Sequence, residues 1–342
     1  MLGYTVYATS FFELEDQKKY VDKLIVPSNN DTFDLKILED LSLNYVNDVD
    51  YIIFTSDVNT DRYPHSKIIG NTNTRHINNK WEMYKKLHKN FLMPATYRIN
   101  SIEEATEIVN NHKDKKFVIK PIYGSGGVGI NYFNTNIQLD GDFILQEYIE
   151  GKSVSSSFLS YNSHEISMVT TSDQIIGSKM LGGNDFLYCG NITPLINSNP
   201  KLINISTKIS KMFKLVGSNG VDFILHKNNV YVLEVNPRIQ GTFECVENSF
   251  NINLAKAHID SCNNELVEIP KLKNFCVKLV PYSLNDAKYD LRGIDFLNDC
   301  SPSDYLYKKG TPIATIIVSD RILENAMGKA EIIRKKVYDS II

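Results

Sequence analysis

Gly220-Val221-Asp222-Phe223-Ile224-Leu225, then Val230-Tyr231-Val232-Leu233-Glu234-Val235-Asn236-Pro237-Arg238 after a polar break at Lys227-Asn228-Asn229, is the stretch that decides how this chain is read. Both runs are rich in β-branched and aromatic residues, and a short polar break between two such runs signals a hairpin. Side chains along a strand alternate faces, so Glu234, Asn236 and Arg238 share one face, with Asp222 able to stand beside them on the neighbouring strand. Two carboxylates and an amide oxygen suit Mg²⁺, which takes oxygen ligands and usually shares its shell with nucleotide phosphates. Arg238 next to them is a preorganised cation for developing phosphoryl charge. A solvated polar strand face is the bland alternative, and the apolar residues between the polar ones, with a proline directly after Asn236, speak against it.

Upstream, Ile144-Leu145-Gln146-Glu147-Tyr148-Ile149-Glu150-Gly151 reads as a strand that leaves a core and enters a connector at glycine, with backbone groups suited to an adenine edge. Further upstream, Phe117-Val118-Ile119-Lys120-Pro121-Ile122-Tyr123-Gly124-Ser125-Gly126-Gly127-Val128-Gly129-Ile130 carries four glycines in six residues. Such a loop approaches a ligand closely and aims consecutive N–H groups at anionic oxygens. Gly124, Gly126 and Gly129 also match G-x-G-x-x-G, the dinucleotide spacing, which needs a helix directly after the loop. The residues that follow, Asn131-Tyr132-Phe133-Asn134-Thr135-Asn136, are strand and turn material, so a hairpin is expected. Lys120 ends the entering strand, where its ammonium can reach phosphates under the loop. For the loop alone, a plain surface hairpin with an exposed lysine is as good a reading.

Outside these segments, 5–8, 51–54 and 68–70 read as buried parallel strands of an α/β layer. Helices are expected over 80–89, on a stripe of Trp81, Tyr84, Leu87 and His88, and over 102–112 behind a Ser101 cap. Further strands are expected at 154–161, 165–171, 275–282 and 311–318. Further helices are expected at 204–215 and from 323 onward, the last with Ala326, Ala330, Ile333 and Val337 on one stripe. At 342 residues the chain allows about two to three folding units. Its 37 Lys and Arg against 40 Asp and Glu, without a long block of one sign, argue against nucleic acid as a partner. No apolar run approaches the ~20 residues of a bilayer span, so no membrane partner and a cytoplasmic setting are expected. The five cysteines form no CxxC pair and the seven histidines show no HxxxH or HExxH spacing, so neither a disulfide framework nor a zinc site is expected.

In this order and spacing, over about residues 80–260, the segments resemble the ATP-grasp superfamily. In particular they look like archaeal-type ATP-grasp carboligases related to biotin carboxylase. Lys278-Leu279-Val280-Pro281-Tyr282 and Lys309-Gly310-Thr311-Pro312-Ile313-Ala314 are similar to that group's C-terminal subdomain. The resemblance implies a mixed α+β and α/β fold: an N-terminally incomplete Rossmann-like domain over 1–79, an ATP-grasp domain over 80–270 and a C-terminal subdomain over 271–342. Within the ATP-grasp domain, 80–150 would be a small lobe with a glycine-rich flap and 151–270 the metal-bearing catalytic lobe. ATP and Mg²⁺, with Mn²⁺ as substitute, are the implied cofactors. ATP would be held by Lys80, Lys120, the flap residues Gly124, Ser125, Gly126, Gly127, Val128 and Gly129, and the hinge residues Gln146, Glu147, Tyr148 and Ile149. Asp222, Glu234 and Asn236 would hold the metal, and Arg238 and Lys120 would be the catalytic residues. The family's reaction turns a carboxylate into an acyl phosphate that an amine or other nucleophile then attacks. The implied partners are therefore a small-molecule carboxylate, an amine and, because relatives often dimerise, a second copy of the chain.

Three departures refine this. Lys152 and Ser153 follow the hinge glycine where many relatives carry an acidic ribose ligand. Biotin carboxylases follow their active-site arginine with Gln-Val-Glu-His, whose Glu is the base toward bicarbonate; here Gln240-Gly241-Thr242-Phe243 puts Thr242 in its place. That moves the expectation from bicarbonate to amide formation, with a bicarbonate-dependent carboxylase and a non-catalytic ATP-binding protein as alternatives. Glu244 and Glu247, just beyond, would either orient an amine or simply open a helix. Relatives also open with a strand and helix ahead of the segment matching Leu2-Gly3-Tyr4, so about one βα unit is expected upstream.

Overall fold

A computed structural model describes residues 2–27, 34–161, 165–197 and 199–342. The N-terminal part holds β1 (Tyr7–Thr9), β2 (Lys23–Ile25) and α1 (Leu35–Leu43), followed by α2 (Arg75–Asn78) and α3 (Lys80–Leu87). Next come β3 (Thr96–Ile99), α4 (Ile102–Asn111), β4 (Phe117–Pro121), β5 (Asn131–Tyr132) and β6 (Phe143–Glu147). A long strand-rich stretch supplies β7 (Lys152–Tyr161), β8 (Glu165–Ile176), β9 (Tyr188–Thr193), α5 (Pro200–Phe213), β10 (Gly217–His226) and β11 (Asn229–Asn236). The chain then runs through α6 (Phe243–Phe250), α7 (Leu254–Cys262), β12 (Phe275–Leu279), β13 (Leu297–Asn298), β14 (Thr315–Asp320) and α8 (Leu323–Asp339).

Two antiparallel sheets face the site. The small one has the order β3-β6-β4-β5, and the large one runs β11-β10-β7-β8-β9-β12-β14-β13 across eight strands. The glycine-rich segment lies in the β4–β5 hairpin, where Val118 pairs with Tyr132, and no helix follows it. That removes the dinucleotide-fold reading on geometry. The β10–β11 hairpin closes where His226 pairs with Asn229, and Lys227 takes a positive φ of 53° at the turn. Below the large sheet, Phe158, Phe223, Val154, Val221 and Val232 pack against Leu202, Ile209 and Leu215 from and beyond α5, all fully buried. α8 packs Ala326, Ala330, Ile333 and Val337 onto β12 and β14, the stripe its sequence shows.

Four expectations are corrected. α3 buries Lys80, Met83 and Leu87, whereas Trp81 and Tyr84 stack on each other at 5.8 Å nearer the surface, so the aromatic stripe is not its core face. α5 starts at Pro200, not 204, because Asn199 caps it by accepting the Lys201 N–H at 3.0 Å and proline suits the first turn. β9 is an unexpected strand: its glycine and asparagine content hides it from strand propensity. In the N-terminal part, the stretches 51–54 and 68–70 meet only in a single parallel bridge, Ile52 to Ile68. β1 pairs with β2 alone, and Val6, Tyr7, Tyr51 and Ile53 are exposed, so the buried parallel layer is not formed. Among the described residues no helix is long and apolar enough to cross a membrane.

Candidate active site

The β10–β11 register places Asp222 directly opposite Glu234 and Gly220 opposite Asn236. A Cβ at Gly220 would fall 1.7 Å from the end of the Gln240 side chain that lies over the strand, so Gln240 would have to move to admit one. The Asn236 amide donates to Asp222 Oδ2 at 3.0 Å, and Gln174 on β8 donates to Asp222 Oδ1 at 2.9 Å. Glu234 pairs at 3.0 Å with Lys80, whose ammonium also donates to the Gly124 carbonyl of the loop at 2.6 Å. Lys80 therefore ties the acidic strand to the glycine-rich hairpin.

The charges here are strongly coupled. Loss of solvent pushes the Asp222 carboxyl up to about 7, and the adjacent Glu234 charge adds to that, while the Asn236 amide pulls the other way. Lys120 is pushed down to about 8 by loss of solvent, with Lys80 adding to the fall and Glu234 opposing it. A divalent cation between the two carboxylates would reverse the penalty on Asp222, and the donor set is all oxygen, as Mg²⁺ requires. The residues present thus fit that ion. Among the described residues no group of three or more His, Cys, Asp or Glu is arranged for a metal.

Arg238 follows on the same face. Its guanidinium grips Asp57 at both oxygens, Nε at 2.7 Å and Nη2 at 3.0 Å, and Nη2 also reaches Asn236 Oδ1 at 3.2 Å. Burial disfavours each charge of this pair, but their mutual attraction wins, lowering the carboxyl and raising the guanidinium. Asp57 and Gln174 carry no signal in the sequence: Asp57 lies in an aperiodic loop, and Gln174 is one polar residue of a long strand.

The loop lies down on the large sheet. The Gly126 carbonyl accepts the Tyr188 N–H at 2.9 Å, and Gly127, at φ 82°, comes so close that a Cβ would sit 1.8 Å from the Phe186 carbonyl oxygen. Tyr132, Tyr148 and Phe186 form a ring cluster at this edge, with centroids 4.8 to 6.2 Å apart. In the hinge, Gln146 donates to Thr96 Oγ1 at 2.9 Å, and the Glu147 carboxylate is taken by Lys115 at 3.1 Å and by the Ala95 N–H at 3.3 Å. The Glu147 and Tyr148 N–H groups are spent on the carbonyls of Ala95 and Lys116, which makes Ile149 the first peptide group beyond the ladder. The Gln146 and Glu147 side chains therefore serve the small sheet, and the backbone past Tyr148 is what the hinge can offer a ligand.

Thr242 is bound to Ser157 at 3.0 Å, and Ser157 also donates to Gln240 at 2.8 Å. Glu244 pairs with Lys278 at 3.0 Å, and Glu247 accepts the Leu254 N–H at 2.7 Å, so both carboxylates have structural partners. Lys152 pairs with Asp173 at 2.6 Å. Of the histidines, His164 lies outside the described residues; His258, beside Arg238 in a shared cavity, donates from Nε2 to the Ile69 carbonyl at 2.9 Å.

Residues 77–242 match the ATP-grasp domain family. An uncharacterized protein of Methanocaldococcus jannaschii is 31% identical over 341 residues, covering 94% of this chain and 84% of that protein. The chain belongs to the ATP-grasp superfamily. The tyramine–L-glutamate ligase of the same organism is 27% identical over 255 residues, covering 72% of this chain and 76% of that one. Among solved structures, the biotin carboxylase domain of Hydrogenobacter thermophilus 2-oxoglutarate carboxylase has a TM-score of 0.71 at 15% identity, covering 100% of this chain and 85% of that one. Thermotoga maritima N5-carboxyaminoimidazole ribonucleotide synthetase has a TM-score of 0.68 at 18% identity, covering 98% and 92%. These two structures share the overall fold along nearly the whole length of this chain, strands β12 to β14 included.

Proposed function

We propose that this ATP-grasp chain is an ADP-forming ligase that activates a small-molecule carboxylate as an acyl phosphate and joins it to an amine. The observation that carries the reading is the gathering of Lys80, Lys120, Asp222, Glu234, Asn236 and Arg238 under one glycine loop, with no serine, threonine or cysteine among them. Phosphoryl transfer needs positioning and charge neutralisation and little covalent chemistry, which is what this set supplies. The amide product follows the ligase relative at 27% identity, whose name gives tyramine and L-glutamate as substrates.

In this reading the flap amides of residues 124–129, with Lys80 and Lys120, receive the ATP phosphates, and the backbone around Ile149 receives the adenine edge. Asp222, Glu234 and Asn236 would hold Mg²⁺, which would supply positive charge against the phosphates. Lys120, pushed down to about 8 by loss of solvent, gains the counter-charge it lacks when a phosphate binds beside it. Arg238 steadies the acyl phosphate. Carboxylation with bicarbonate is the weaker reading, because Thr242 offers no base and Glu244, the next carboxylate, is held by Lys278. We place the reaction in the cytoplasm, where ATP is available, with a homodimer as the assembly to test.

The test is ADP and phosphate release by the purified chain with ATP, Mg²⁺ and separate pools of carboxylates, amines and bicarbonate, beginning with L-glutamate and tyramine. Stimulation that requires an acid together with an amine supports the ligase. Stimulation by bicarbonate alone makes the protein a carboxylase, and nucleotide binding without turnover makes it a binding protein.

A further inference from the structure

Asp57 stands apart from the metal carboxylates. It comes from the loop between α1 and α2, its side chain is 9% exposed, and it spends both oxygens on Arg238. The pair forms one wall of a cavity of ≈ 20 Å³ that Phe54, Asn78 and His258 also line, room for about one water-sized group. Asn78 Oδ1 is buried and has no hydrogen-bond partner among the described residues, so the cavity wall holds an acceptor that lacks a donor. His258 brings no charge to it. Its Nδ1 accepts the Ser218 N–H at 2.8 Å, so the ring hydrogen sits on Nε2 and goes to the Ile69 carbonyl. The Asn71 amide, also in the wall, donates to Val216, Asn219 and Pro237. The unmet polar demand of the cavity is therefore for a donor, and its one anion is Asp57.

We propose that this cavity receives the ammonium group of the amine substrate, with Asp57 as counter-ion and first proton acceptor and Asn78 Oδ1 as a second hydrogen-bond acceptor. The proposal rests on the ligase reading and names the nucleophile's class: a protonated aliphatic amine. Before the acid is activated, Arg238 fills the role of cation to Asp57. Its Nη2 already touches Asn236 at 3.2 Å, so a small swing takes the guanidinium toward a phosphoryl group at the metal residues. That swing strands a largely buried carboxylate without a counter-charge, an unfavourable state that an arriving ammonium relieves. Amine capture is thereby tied to acyl-phosphate formation. One ammonium proton passes to the Asp57 carboxylate, and the freed nitrogen lone pair forms the C–N bond at the acyl carbon. The C–O bond to phosphate breaks with its electron pair going to phosphate, which takes the second nitrogen proton and leaves as hydrogen phosphate. The third proton stays on the amide.

Hydroxylamine separates the two halves of the reaction, because it is uncharged near pH 7.5 and traps acyl phosphates as hydroxamates without needing an anion to hold it. The full chain, Asp57→Asn and Asn78→Ala are each given ATP, Mg²⁺ and a carboxylate pool headed by L-glutamate, with either hydroxylamine or a pool of tyramine and alkyl diamines. Asp57→Asn is expected to lower the ratio of amide to hydroxamate by about 50-fold or more, and Asn78→Ala to raise KM for the amine by about tenfold more than KM for the acid. Equal loss of both products in Asp57→Asn overturns the proposal, because Asp57 would then only position Arg238; an unchanged ratio places the amine elsewhere. A wild-type chain that makes hydroxamate but no amide overturns the amine subsite while leaving acid activation standing. A chain that makes neither product removes the ligase reading and this proposal with it.

Discussion

The β10–β11 hairpin and the segment before α3 share an ion pair, Arg238 with Asp57, yet they hold their halves of it by different means. In the hairpin, functional residues alternate with Val221, Phe223, Val232 and Val235, which are almost wholly buried, so the core fixes which way each polar side chain points. Among the described residues of the earlier segment there is one two-stranded parallel pair and one bridge. There the loop around Asp57 is organised by side chains: Glu39 accepts from the Asn59 N–H and from Arg62, both at 2.7 Å, and Lys67 donates to the Val46 and Val49 carbonyls at 2.8 and 2.7 Å. The proposed metal residues thus sit on a sheet that tolerates little change. The proposed substrate side sits on a polar loop network that can be rewritten without disturbing a core.

The sharpest way to break this comparison is to damage each region's support. Phe223→Ala removes a fully buried ring from the cluster beneath the sheet and is expected to cost about 3–5 kcal/mol in urea unfolding. A loss under about 1 kcal/mol would show that the sheet is not what holds the site. Next in size is Glu234→Ala. It removes a proposed metal oxygen and leaves Lys80 and Lys120 facing each other without their counter-charge. Carboxylate-stimulated ADP formation is expected to fall by about 10²–10³-fold. A rate within about twofold of wild type would remove Glu234 from the machinery.

The same contrast explains which parts of the molecule are legible in its sequence. Strand alternation and glycine density are short-range properties, so the hairpin, the flap and the set Asp222, Glu234, Asn236 and Arg238 all stand out from the order of residues alone. Lys80 enters through the family resemblance, and the structure sets it on the buried face of α3 reaching both Glu234 and Gly124, which the aromatic stripe of that helix conceals. Asp57 is invisible because it is 181 positions from its partner, in a loop without period or motif. Likewise the resemblance assigns Gln146 and Glu147 to the adenine hinge, and only the structure shows that their side chains have long-range partners in Thr96 and Lys115. Pattern reports which face a residue takes, but not what another part of the chain brings to that face.

A smaller effect sharpens the metal half. Loss of solvent first, and the Glu234 charge second, raise Asp222 from the ordinary 3.8 to about 7. Between those values the folded protein keeps a proton that the unfolded chain has released, so the metal-free protein loses stability as pH rises through that window. Mg²⁺ held at the proposed site would compete with that proton. Its apparent affinity is expected to fall by about tenfold per pH unit below 7 and to level off above it. Thermal shifts with and without Mg²⁺ at pH 5.5, 6.5 and 7.5 read both slopes, and Asp222→Asn should flatten them. A Mg²⁺ response independent of pH in the wild type would mean the ion does not displace a proton from this carboxylate.

The smallest effect belongs to the other region and tests its looseness directly. Tyr51 is 61% exposed beside the lone Ile52 to Ile68 bridge, so Tyr51→Ala is expected to change stability by no more than about 0.5 kcal/mol. Val6, Tyr7 and Ile53 are also exposed in the same part of the chain, and exposed apolar residues mark an interface where they join into one patch. If the proposed homodimer uses that face, Tyr51 is covered in solution. The substitution then costs about 2 kcal/mol or more, the loss shrinks as the protein is diluted, and sedimentation shows the variant dissociating first. A small, concentration-independent change keeps the face free and assigns its apolar residues no role in assembly.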